Sequence, residues 1–200
     1  MRLLFSAIIS IITTLTIVFS FYYIVITDPP KENHLTHIEK SIYIDRTFTI
    51  QQKYIIEVAA AEWQNTTKGI VKFKVVRLPT SEVLDPTKSI IIVNTNSDDP
   101  DIIELDAFAR NNSYHLGWTN MNHVIPNIKI VSSRIKTSEK FKSTILHELG
   151  HAIGLSHNEG KSGELTLMYP AIDLGADHIT EKDLQKFCQK YSCNYKDLLK

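Results

Sequence analysis

The chain has 200 residues, with 22 basic and 22 acidic side chains, only seven glycines and an otherwise ordinary globular composition. The even charge and the lack of a long basic run argue against nucleic acid as a partner, and no internal repeat or low-complexity tract points to a solenoid or fibrous protein. The length suits one domain with some chain left over.

Leu3 to Ile26 is a run of 24 residues without a charge, rich in Ile, Leu, Phe and Val. As a helix it would reach about 36 Å, enough to cross a bilayer. Arg2 and the amino terminus precede it, which favours the N-terminus inside and the domain outside. A cleaved signal peptide is the alternative. Its apolar core is usually about 7–15 residues and ends in a small-x-small site, whereas Phe21-Tyr22-Tyr23 stands where small residues are wanted. The uncleaved anchor is therefore favoured, and both readings put the rest of the chain outside the cytosol, membrane-anchored or secreted. The chain divides into an apolar segment 1–27, a linker 28–37 that contains Asp28-Pro29-Pro30-Lys31, and a domain 38–200.

In that domain Ser41 to Asp45 reads as a short strand. Ile50, Tyr54, Ile55, Val58, Ala61 and Trp63 fall near helical spacing and predict a helix over Thr49 to Asn65, with Gly69 as the break after it. Val71, Phe73 and Val75 alternate with Lys72 and Lys74 as in a half-buried strand, and Ile90 to Val93 is an apolar run suited to a central strand. Asp98 to Asn112 is polar and acidic and reads as a long surface loop. Tyr114 to Thr119 and Asn127 to Ser132 read as two more strands. A helix follows over Ser138 to Ile153, capped by Thr137 or Ser138, and Thr180-Glu181-Lys182-Asp183 resembles a capping box that opens a last helix through about Tyr191. This order of elements is that of an α+β domain of roughly 160 residues, large enough for its own core. Trp63 reads as core. His34, His37 and His178 read as surface, and the sequons at Asn65 and Asn111 carry no weight. Cys188 and Cys193, five apart, are open to a disulfide or to two free thiols.

The chemistry is concentrated in His147-Glu148-Leu149-Gly150-His151-Ala152-Ile153-Gly154-Leu155-Ser156-His157, which reads HExxHxxGxxH. His147 and His151 are four apart and share one helix face. Gly154 can take the left-handed conformation that ends the helix, so His157 can return to the same point. Three neutral imidazoles leave a fourth position for water, the mark of a catalytic rather than a structural zinc site. At this chain's frequencies of 8 His, 11 Glu and 7 Gly, the five fixed residues would arise by chance about twice in 100,000 chains.

With Leu167-Met168-Tyr169-Pro170 downstream, the pattern resembles the metzincin zinc peptidases, and the turn at Met168 resembles the matrixin (matrix-metalloproteinase-like) form. The likeness extends over about residues 40–191, through Ala59-Ala60-Ala61-Glu62-Trp63, Leu116-Gly117-Trp118-Thr119, Ile128-Lys129-Ile130 and Thr180 to Phe187, with 147–170 the specific part. It implies a metzincin-like catalytic domain: a twisted, mostly parallel sheet with one antiparallel edge strand and three helices, behind an N-terminal apolar helix. It also implies that His147, His151 and His157 bind one catalytic Zn2+ and that Glu148 is the general base on a zinc-bound water. Met168 would form the floor below the metal. Tyr169, Pro170, Ala171 and Ile172 would line the pocket for the residue after the scissile bond, and Ser143 would set its depth. Protein or peptide substrates would lie extended along Tyr114 to Thr119, and the protein is expected to act as a monomer on the outer side of a membrane entered by residues 3–26.

Three departures stand out. No Pro-Arg-Cys-Gly cysteine switch precedes the domain, Asn158 follows the third histidine where matrixins have serine, and the structural-zinc loop is not recognisable. His115 and His123, with Asp98, Asp99, Asp101 and Asp106, are candidates for a second metal such as Ca2+, against the default of solvated loop residues. The alternative function is a zinc-containing ectodomain that binds peptides without hydrolysing them, which would have no need of Glu148.

Overall fold

The computed structural model describes residues 37–77, 84–108, 114–121, 125–158, 165–171 and 175–200. The expected apolar helix and the linker up to residue 36, together with His34, His123, Ile172 and the sequon at Asn111, lie outside the described residues. Among the described residues no helix is long and apolar enough to cross a membrane. Residues 35–200 form one unit.

Five strands build the sheet: β1 (Ile38–Ile44), β2 (Val71–Arg77), β3 (Ser89–Asn94), β4 (Gly117–Asn120) and β5 (Asn127–Ile130). Their order is β2-β1-β3-β5-β4. The first four in that order run parallel, and β4 pairs antiparallel with β5 at the edge. The fold is therefore α+β around a mostly parallel sheet with one antiparallel edge strand. Alternation along the strands turns Ile42, Ile44, Ile90, Ile92, Ile128 and Ile130 inward, each no more than 1% exposed. Burying side chains of this size stabilises the fold by about 1.5–3 kcal/mol each.

Helix α1 (Ile50–Thr66) covers them with Ile56, Ala59, Ala60 and Trp63. A capping box starts it: the Thr49 hydroxyl accepts from Gln52 N, and the Gln52 side chain accepts from Thr49 N. Helix α3 (Ser138–Ala152), capped by Thr137 on Lys140 N, contributes Ile145, Leu146 and Leu149 to the same core. Trp63 ties the two helices together, its indole N–H donating to Leu146 O at 2.9 Å.

The acidic stretch expected as a loop instead carries helix α2 (Pro100–Phe108). Asp99 caps it, its carboxylate accepting from Asp101 N at 3.0 Å and its carbonyl from Ile103 N at 2.9 Å. Pro100 fits the first helical position because no N–H is needed there, and Ile102 is fully buried. The strand expected from Tyr114 begins only at Gly117. Helix α4 (Glu181–Tyr191) opens with the expected box at Thr180 and Asp183, and a short α5 (Tyr195–Leu198) follows. Cys188 and Cys193 are disulfide-bonded across the end of α4, and among the described residues no cysteine is free.

Candidate metal centre

Helix α3 lies so deep that even its polar residues His147 and Glu148 are each only 2% exposed. Its C-terminal end is closed by backbone bonds from Gly154 N to His151 O at 2.7 Å and from Leu155 N to Gly150 O at 2.9 Å. This pair is a Schellman turn with the glycine in its left-handed position at φ +81°. A Cβ at Gly154 would stand 2.7 Å from Lys190 Cε, the far end of an exposed flexible side chain that can move aside, so it is the backbone that demands glycine. The turn swings the chain back and brings His157 to the histidines of the helix.

The three imidazoles converge as the spacing predicted. His151 Nε2 lies 3.1 Å from His147 Nε2 and 3.2 Å from His157 Nε2. The other ring nitrogens explain this orientation. His147 Nδ1 is 2.7 Å from Leu167 O, and His151 Nδ1 is 2.7 Å from Leu155 O. A carbonyl only accepts, so each Nδ1 carries the proton, and both Nε2 lone pairs point at the shared centre. Burial pushes His147 down to about 3, reinforced by His151 and His157 against the pull of the Leu167 carbonyl. His151 is lowered as well, again chiefly by burial. Neutral imidazoles whose lone pairs face one another are the ligand form, and these three are placed to hold a metal ion.

Glu148 sits beside them. Burial raises its carboxyl to about 7, opposed by a hydrogen bond from Thr119. Thr119 Oγ1 donates to Glu148 Oε2 at 2.6 Å. No cationic side chain among the described residues offsets the burial, whereas a metal dication at the neighbouring histidines would favour the carboxylate.

The cleft over this centre, about 470 Å³, is lined by the three histidines, Glu148, residues 117–119 of β4, His115, Met121 and Pro170. Met168 is 1% exposed and lies under α3. A Cβ on Gly150 would meet its sulfur at 2.4 Å. The turn that carries it is anchored at several points: Met168 O accepts from Asn158 N at 2.7 Å, and Asp183 accepts from Leu167 N at 2.9 Å and Met168 N at 3.2 Å. Of the residues expected to shape a substrate pocket, Pro170 lines the cleft. Tyr169, Ala171 and Ser143 do not line it, and Ser143 is buried with its hydroxyl donating to Lys140 O at 3.0 Å.

Three of the four acidic residues proposed for a second metal, Asp99, Asp101 and Asp106, find cationic partners instead. Lys129 Nζ lies 2.8 Å from Asp99 Oδ1 and 2.7 Å from Asp101 Oδ2. Asp106 pairs with Arg134 at 2.8 Å and accepts from His115 Nδ1 at 3.1 Å. Among the described residues only His147, His151 and His157 group as metal ligands.

No protein-family model matches this chain, and no curated protein matches it. The functional reading therefore rests on the site itself. Sequence reasoning missed Thr119, the carbonyls of Leu155 and Leu167, and the second role of Asp183. Only Asp183 carried a visible signal, as the acid of its capping box.

Proposed function

We propose that the chain is a zinc-dependent endopeptidase of the metzincin, matrixin-like type, cleaving proteins or peptides outside the cytosol. The observation that carries this reading is the convergence of three Nε2 atoms at 3.1 and 3.2 Å beside a buried carboxyl. Ligand nitrogens about 2.0–2.1 Å from a tetrahedral zinc ion stand about 3.3 Å apart, close to these separations. An all-imidazole set of three suits zinc better than calcium, which takes six or more oxygens.

Zinc held by His147, His151 and His157 would supply Lewis acidity, polarising the scissile carbonyl and lowering the pKa of water to about 7. The residues of the chain supply the rest. The Leu167 and Leu155 carbonyls hold the two helical imidazoles in the tautomer that presents Nε2. Glu148 takes the proton of the attacking water on Oε1, since Oε2 is engaged by Thr119, and passes it to the leaving amine. An extended substrate pairs with the edge of β4, whose residues 117–119 border the cleft. Met168, buried against Gly150 of α3, would form the floor below the centre.

An extracytoplasmic setting is supported by the disulfide between Cys188 and Cys193 and by the apolar sequence of residues 3–26. The test is cleavage-site profiling of the zinc-loaded full chain on a proteome-derived peptide library, with Glu148→Ala as control. Cleavage by the parent alone is expected. No cleavage, or equal cleavage by both, overturns the assignment.

A further inference from the structure

We infer that β4 does more than border the substrate: Thr119 is the positioning residue for Glu148, and Gly117 leaves the space that this requires. The inference rests on the function proposed above and adds to the machinery a strand residue outside the zinc motif. Thr119 Oγ1 is 2.6 Å from Glu148 Oε2 and 3.1 Å from Glu148 O. The shorter contact is a hydrogen bond to a carboxylate, the stronger kind. It fixes one carboxyl oxygen, so that the other, Oε1, is the proton acceptor.

The donor is well held. Thr119 is β-branched, which restricts its first side-chain torsion, and its backbone is registered against Ile128 in the sheet. Placement on a strand gives tighter control than a loop would. Two residues earlier, and so on the same face of β4, Gly117 faces the same carboxyl. A Cβ there would lie 3.0 Å from Glu148 Cγ, 3.0 Å from Oε1 and 3.0 Å from Ile130 Cδ1. Gly117 is therefore the gap into which the carboxyl fits, and Thr119 is the donor that keeps it there. Glu148 is 2% exposed, so water cannot readily replace a lost hydroxyl.

The experiment compares the zinc-loaded full chain with Thr119→Val and Thr119→Ser on one peptide taken from the cleavage profile. The valine variant is expected to lower kcat by about 10- to 100-fold, the size of one lost hydrogen bond to a charged group, with KM within about twofold of the parent. Serine keeps the hydroxyl and should stay within about threefold of the parent. Bound zinc per chain should be unchanged, the melting temperature should fall slightly because a buried acceptor loses its donor, and a crystal structure of Thr119→Val should show the Glu148 carboxyl displaced. If valine does not fold, Thr119→Ala carries the same comparison. A valine or alanine variant with parental kcat overturns the inference, as does a serine variant as slow as valine, or a Glu148 carboxyl that has not moved. A parent chain that cleaves nothing fails the endopeptidase reading, and this inference falls with it; a parent that cleaves normally beside an equally active valine variant removes the role of Thr119 alone.

Discussion

His147 Nδ1 sits 2.7 Å from the carbonyl oxygen of Leu167, so the first imidazole of the cluster is oriented by the residue immediately before Met168. The same turn is gripped from the other side by Asp183, which is fully buried and takes the N–H groups of Leu167 and Met168 as well as the Thr180 N–H and hydroxyl. The start of α4, the Met168 turn and the histidine cluster are thus joined through one carboxylate and one carbonyl.

Asp183→Ala should therefore be among the most damaging substitutions remote from the metal. It strands two buried N–H groups in the turn and removes the Asp183 half of the capping box of α4, at a cost of about 3–5 kcal/mol. Urea unfolding would measure that loss, and zinc titration should show weaker binding as Leu167 O drifts from His147. Parental stability and affinity in the variant would refute the linkage.

Metal removal should destabilise the whole domain, because the ligands are gathered only in the folded chain. With free zinc at about a thousandfold over its dissociation constant, binding contributes about 4 kcal/mol, worth about 10 °C in melting temperature for a domain of this size. A chelator should remove that increment and added zinc restore it. An identical melting temperature with and without chelator, with no zinc found by mass spectrometry, would contradict it.

Gly154→Ala should cost about 1–2 kcal/mol through left-handed strain, because the exposed end of Lys190 can move aside from the added methyl. Lys190→Ala in the same chain should therefore recover little and leave the strain. Zinc affinity should fall in both, because Leu155 O and His157 follow the turn. The idea fails if the double variant is as stable as the parent.

Acid sensitivity should arise partly at Asp106. Burial opposes its ionisation, but hydrogen bonds from His115 and Arg134 outweigh it and hold the carboxyl below the usual range. A group depressed in the folded state contributes stability above its unfolded value, near 3.9, and loses it as pH falls through the folded value. Unfolding free energies of parent and Asp106→Asn should thus differ most near neutrality and converge as pH falls through the depressed folded value. A constant difference across that range would exclude this origin.

The cluster was legible in the sequence because its geometry is local: the four-residue step from His147 to His151 is set by the helix, and Gly154 announces the turn. The parallel core strands were legible from apolar runs such as Ile90 to Val93. Helix α2 is hidden in the sequence, although Asp99-Pro100 is a start signal, because its nine residues sit in an acidic polar stretch and, among its described side chains, only Ile102 is fully buried. The contact of Thr119 with Glu148 could not be read at all. It spans 29 positions and depends on the register of β4 against β5, which no local pattern specifies. The ion pairs of Lys129 and Arg134 were hidden for the same reason, so Asp99, Asp101 and Asp106, which look like metal ligands in the sequence, are neutralised within the chain.

The antiparallel edge carries a consequence for solubility. An unpaired strand edge is a template on which other chains can stack and aggregate. β4 limits that hazard by being only four residues long, enough to register a short extended segment but too short to seed a growing sheet. Any strand that does pair there is laid alongside Glu148, whereas the opposite edge is the longer β2, seven residues from Val71 to Arg77.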